Sequence, residues 1–216
     1  MSTEEPRAVD PATPRPRDVA TAVPVDPATA VLERFASVTA HVTDNRQPYL
    51  LVPAALIVDV TRFVRDHVDI RADALMSLSG LDLLKWPGAK KGEFPFSDLV
   101  MTYHLFSYRH ARRLTLKVQV PRTAASVPTV TAIWPVAGQF EREIFDLYGV
   151  DFPGHPDLRR IMMPDDWVGH PLRKDYSYPT GYGGVVLKRD GQHFDDGPYA
   201  DPALPKPAKP AAGGAA

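Results

Sequence analysis

Carboxylates and histidines crowd into one stretch of this 216-residue chain. Glu141, Glu143 and Asp146 come first, then His155 and His170, with Asp157, Asp165 and Asp166 between them. Clustered carboxylates push one another's pKa apart and can divide general acid and base work. Imidazole with carboxylate also suits zinc or iron. The spacing matches no common metal motif, and each His precedes a proline, Pro156 or Pro171. That pattern fits tight turns in which the ring bonds a carboxylate or a carbonyl. A stand-alone metal-dependent hydrolase built on His155, His170 and the nearby acids is the enzymatic alternative. The structural alternative is favoured, because Arg159, Arg160, Arg173 and Lys174 follow as matching cations. Charges paired across a turn can fix how a segment folds back on a helix, and they matter most when buried.

The acids must be carried by a helix. Phe140, Ile144 and Tyr148 recur at four-residue intervals with Leu147 beside them, which makes one apolar face. Glu141, Arg142, Glu143 and Asp146 sit around that face, and Arg142 lies one turn before Asp146, where an ion pair can form. Gly149 stands at the expected C-terminal cap. Beyond it the chain reads Gly154-His155-Pro156-Asp157-Leu158-Arg159-Arg160 and, fifteen residues on, Gly169-His170-Pro171-Leu172-Arg173-Lys174-Asp175.

This ordered set, with Phe152 between the helix and the first Gly-His-Pro, resembles the C subunit of proton-pumping NADH:quinone oxidoreductase, respiratory complex I. The resemblance is concentrated in residues 137 to 178; the family pattern has a Trp just before Glu-Arg-Glu, where this chain has Gln139. It implies a cofactor-free subunit of the peripheral arm, docked on the quinone-site subunit and adjacent iron–sulfur subunits. NADH, FMN, the clusters and quinone would then belong to those partners. A related membrane-bound hydrogenase or dehydrogenase complex is the alternative within the family. Glu141, Arg142, Glu143, Asp146, Gly149, Phe152, Gly154, His155, Pro156, Arg159, Arg160, Trp167, His170, Pro171, Arg173, Lys174 and Asp175 are expected to shape the segment and dock it. Replacing Trp167 or Phe152 with Ala is expected to reduce assembly and leave the domain folded.

Composition narrows the classes further. Net charge is −1, so no global field draws nucleic acid or an anionic membrane. Zero cysteines exclude iron–sulfur ligation, thiolate chemistry and disulfides within the chain. No G-x-G-x-x-G occurs, and Gly181-Tyr182-Gly183-Gly184 lacks the Lys-Ser or Lys-Thr of a phosphate loop; it reads as a turn before a strand-like run from Gly184 to Lys188. The apolar stretch Tyr49 to Val58 is interrupted by Pro53 and too short to span a bilayer. The first residues carry Glu4 and Glu5 and no leader pattern. A peripheral site on the cytoplasmic side of the membrane, reached through partners, is expected.

Upstream, residues 1–26 are Pro-rich and expected to be disordered. A helix begins near Pro27 with Val31, Leu32 and Phe35 on one face. Ser37 to Thr43 and Tyr49 to Val52 form a hairpin about a turn at 44–47. Leu56, Ile57, Val60, Phe63 and Val64 mark a helix to Asp66. Leu75 to Leu84 is a strand with Gly80 a bulge candidate; a surface loop carrying Pro87 to Gly92 follows. Leu99 to Tyr108 and Leu114 to Val120 pair across a turn at 109–112, and Pro128 to Trp134 makes a short helix. The fold expected for residues 27–149 is α+β, an antiparallel or mixed sheet with helices on one face. Residues 150–200 read as an extended arm that buries its aromatics and methionines partly on its own domain and partly on another protein. Residues 201–216 are expected to be disordered.

Overall fold

The structure, a computed structural model, describes residues 26–41, 48–84, 98–179, 181–183 and 185–186. The tails expected at 1–26 (save Asp26 itself) and 201–216, the turn at 44–47 and the loop at 87–92 lie outside these residues. The chain forms two units, residues 1–176 and 177–216.

In the first unit, helix α1 (Pro27–Arg34) starts where Asp26 accepts the Thr29 N–H at 3.2 Å, with Pro27 at the position where its missing N–H costs nothing. Strands β1 (Thr39–His41) and β2 (Tyr49–Leu51) make the expected hairpin. After Pro53 a single 3-10 turn leads into α2 (Ile57–Asp66), which buries Ile57, Val60 and Val64. Strands β3 (Ala74–Asp82), β4 (Leu99–Ser107) and β5 (Arg112–Val120) then run as an antiparallel meander.

The sheet order is β1-β2-β5-β4-β3, and β2 lies parallel to β5. That pairing makes the sheet mixed, and the fold is α+β. On β5, Leu114, Leu116, Val118 and Val120 are buried, as their alternation requires. They face a core shared with Leu99, Met101, Tyr103 and Leu105 of β4. The register irregularity in β3 falls between Leu75 and Ser77 and not at Gly80. Gly80 serves a close approach instead: a Cβ there would stand 2.8 Å from Cδ2 of Tyr148, so its absence lets the last helix lie against the strand.

Residues 128–134 do not form the expected helix. Only one turn closes there, with Ile133 and Trp134 N–H groups on the Val130 carbonyl, and it feeds α3 (Ala137–Tyr148). The preceding residues are held extended against a later segment: Asp151 N–H donates to Ala125 O, Val127 N–H to Asp151 O and Thr129 N–H to Pro153 O. A backbone committed to this ladder is not free to coil. No side chain caps the start of α3; backbone bonds to the carbonyls of Trp134, Pro135 and Val136 do.

Residues 150–176, the first part of the expected arm, belong to this first unit. The boundary falls after Tyr176, not after Gly149. In the second unit β6 (Gly181–Tyr182) pairs with β7 (Val185–Val186) in a small hairpin, so residues 181–182 are strand rather than turn. No helix among the described residues is long and apolar enough to cross a membrane.

Candidate functional site: a segment folded on the end of a helix

The final turn of α3 leaves carbonyls with no partner inside the helix. Gly149 adopts a left-handed φ of 66° and returns its N–H to Phe145 O at 2.9 Å. The next four carbonyls are taken by the segment that comes after. His170 Nδ1 donates to Asp146 O at 2.9 Å, and Leu172 N–H to Leu147 O at 3.1 Å. Arg173 donates from Nε to Tyr148 O at 2.6 Å and from a terminal nitrogen to Gly149 O at 3.2 Å. A cation at this pole also meets the negative end of the helix dipole. Gly149 is needed on a second count, since a Cβ there would collide with the His170 ring.

Asp146 anchors the same segment from its side chain, which has no exposure. One carboxylate oxygen accepts three successive N–H groups, Ile161 at 3.0 Å, Met162 at 2.7 Å and Met163 at 2.9 Å. The other accepts Arg160 at 2.6 Å, and Arg160 reaches on to Gly169 O at 3.1 Å. Burial pushes the Asp146 carboxyl up, but the three N–H groups and the guanidinium outweigh it and hold the pKa below the ordinary aspartate value. This is an anion held in a nest of amides, not a base presented to a substrate.

Glu141 makes a second cluster and is equally buried. It accepts the Thr129 hydroxyl at 2.5 Å and the Val130 N–H at 2.8 Å. His155 lies beside it, its Nε2 3.9 Å from the carboxylate. Asp157 N–H donates to His155 Nδ1 at 3.0 Å, so the ring proton sits on Nε2 and goes to Gly138 O at 3.2 Å. Burial raises the Glu141 pKa above the ordinary value, against the pull of Thr129, Val130 and His155. A raised pKa means the stability contribution is full below the unfolded value, roughly pH 4, and is lost as pH rises through the folded pKa. Glu141→Gln keeps an acceptor for Val130 and removes the buried charge. Its melting temperature is expected to gain on wild type steadily between about pH 4 and 8, measured by thermal melts across that range; parallel curves would refute the assignment.

A third cluster closes the segment. Asp82, at the end of β3, accepts the N–H groups of Leu84 and Lys174 at 2.8 and 2.7 Å and pairs with Arg122. Arg122 bridges onward to Asp175 at 2.9 Å.

The residues singled out by sequence therefore divide. Asp146, Gly149, Arg160, His170 and Arg173 converge on the helix end, Glu141 and His155 on the 129–130 backbone, and Asp175 on Arg122. The expected pairing of Arg142 with Asp146 does not form. Arg142 instead donates to Arg159 O at 3.3 Å, with Asp157 3.9 Å away. Of the matching cations, Arg160 alone pairs with one of the three helix acids among the described residues; Arg159 pairs with Asp157 at 3.0 Å. Glu143, Gly154, Pro156 and Lys174 are exposed, Pro171 and Trp167 half-buried. Phe152 is not a docking side chain: it is 1% exposed in the domain's own core. Glu141 and Asp146, which periodicity sets beside the apolar face, are among the most buried residues of α3. Sequence pattern does not single out Asp82, Arg122 or Thr129. An acid ending an apolar strand is the available signal for Asp82; Arg122 and Thr129 carry none. Among the described residues no three His, Asp or Glu side chains stand close enough to share a metal ion.

Known proteins share this stretch of sequence. The profile of one family, described as "Respiratory-chain NADH dehydrogenase, 30 Kd subunit", matches residues 50–182. The NADH-quinone oxidoreductase C subunit of Roseiflexus sp. (strain RS-1) is 48% identical over 119 residues, 55% of this chain and 63% of the relative. The match thus spans less than two thirds of that relative's length. The C/D subunit of NADH-quinone oxidoreductase from Pseudomonas fluorescens (strain SBW25) is 43% identical over 141 residues, covering 64% of this chain and 23% of that polypeptide. Among solved structures, the membrane-bound sulfane sulfur reductase, an archaeal respiratory membrane complex, contains a chain 25% identical with a TM-score of 0.55, covering 69% of this chain and 83% of that one. The profile takes in more than half of the sequence and every residue of the three clusters, from Asp82 to Asp175. On that ground this chain belongs to the family of the respiratory-chain NADH dehydrogenase 30 Kd subunit, the C subunit of complex I.

Proposed function

We propose that the chain is a cofactor-free peripheral-arm subunit of an NADH:quinone oxidoreductase, on the cytoplasmic side of the membrane. It holds the quinone-site subunit and the adjacent iron–sulfur subunits in register. Electron transfer from NADH to quinone, with its proton translocation, runs through cofactors of those partners: FMN, the clusters and quinone. The observation that carries this reading is where the signature's buried charges go. Asp146, Arg160 and Arg173 are spent on backbone N–H and carbonyl groups of the chain itself, which builds shape rather than a reaction site. The C/D relatives add support for the partner, since a stretch like this one shares a polypeptide with a D part.

The test is to remove the chain from its source and follow the membranes. NADH-driven quinone reduction is expected to fall to background, and the remaining peripheral subunits to separate from the membrane. Restoring the chain should restore both. Stoichiometric zinc or iron in the purified chain, with hydrolytic activity, would instead favour a metal-dependent hydrolase. The likeness to a sulfane sulfur reductase complex favours one second reading, the equivalent subunit of a related membrane-bound respiratory assembly. The set of proteins that co-purify under mild detergent decides between the two.

A further inference from the structure

Four apolar side chains of the folded-back segment stand in solvent: Ile161 is 37% exposed, Met162 62%, Val168 85% and Leu172 45%. They are spread over twelve residues of sequence, yet each is tied to the same turn of α3. Asp146 holds the N–H groups of Ile161 and Met162. Arg160, bonded to Asp146, holds the carbonyl of Gly169, the residue next to Val168. Leu172 is fixed through its own N–H on Leu147 O. Segments bonded to two successive residues of one helical turn lie side by side, so the four side chains form one crest.

Nothing in the fold asks for apolar side chains there. The anchoring bonds use backbone groups and the side chains of Asp146 and Arg160, so polar residues at the crest positions would be held equally well. Single exposed apolar residues are ordinary, but a group of them on a rigidly supported segment marks a contact surface. The support also matters for affinity, because a surface already ordered loses little freedom on binding.

We infer that this crest docks, as a preformed body, into an apolar recess on the D-type subunit. The inference rests on the function proposed above and goes beyond it by naming the contact. The D part is the neighbour at hand in the fused C/D relatives. None of the four side chains carries charge, so the recess they fit is apolar. Met162, unbranched, adapts to its wall.

The experiment co-expresses the full chain with the D-type subunit of the same source and measures co-purification. Met162→Asp and Val168→Asp, singly and together, are expected to keep the melting temperature of the isolated chain within about 2 °C of wild type. Retention of the D-type subunit is expected to fall about tenfold or more. Met162→Gln, a milder change, guards against a folding defect and should weaken retention in the same direction. Wild-type retention by the double variant overturns the inference while leaving the proposed function standing. Failure of the wild-type chain to retain the D-type subunit overturns both. If Met162 resists oxidation in the isolated full chain but not after deletion of residues 187–216, the chain's own C-terminal residues occupy the crest and the inference also fails.

Discussion

Asp146→Ala is expected to destabilise the protein by about 3–5 kcal/mol, the range for breaking one side of a buried ion pair. Three N–H groups would lose their acceptor together, and the half-buried Arg160 would lose its counter-charge. The loss should not be uniform. Opening is expected first between residues 158 and 176, where hydrogen exchange should speed up by orders of magnitude while β4 and β5 stay protected. Limited proteolysis would report the same region. Wild-type exchange at Ile161, Met162 and Met163 in the variant would refute the anchor. The pH dependence has a defined sign. A carboxyl held below its ordinary pKa contributes fully above the unfolded value, roughly pH 4, and its contribution is lost as pH falls through the folded pKa. Glu141 acts in the opposite sense, so the two buried acids of one helix give stability curves that separate cleanly when each is replaced.

Phe152→Ala is expected to cost a similar amount, about 3–5 kcal/mol, for a different reason. Its ring lies in the core with 1% exposure, so truncation leaves a cavity. The melting temperature of the whole first unit should fall, by roughly 2–4 °C per kcal/mol for a domain of this size. Exchange should then rise across the sheet as well as in the following segment. A variant that melts like wild type yet fails to assemble would return Phe152 to the docking role read from sequence. The contrast between the two variants separates a latch from a core: one frees a segment, the other weakens the unit.

Much of the framework is legible in residue order. Leu114 to Val120 alternates because one face of β5 meets the core, and period two survives translation into structure without distortion. The helix around Glu141 shows itself through Phe140, Ile144 and Tyr148, and its end through Gly149, since only glycine takes a left-handed φ without cost. Position within the helix is less legible. Periodicity assigns charged residues to the wet side, yet Glu141 and Asp146 are enclosed, because acceptors supplied with N–H and hydroxyl donors can be buried where bare charges cannot. The stretch from Pro128 to Trp134 misleads for a related reason: the backbone just before and within it bonds with residues 151–153, far along the chain, and local pattern carries no record of them.

Taken alone, the residue order settles the family pattern, the strands and helices, and the zero-cysteine chemistry that excludes clusters and thiolates. It also marks the residues that matter, from Glu141 to Asp175. Tertiary structure alone decides what they do. The parallel contact of β2 with β5, the bridge from Asp82 through Arg122 to Asp175, and the capture of three amides by one aspartate all join residues distant in sequence. Spacing encodes neighbours within a turn or a strand. Partners brought together by burial of a common core are chosen by the whole fold, and that choice turns a cluster of apparent acids and bases into a clasp.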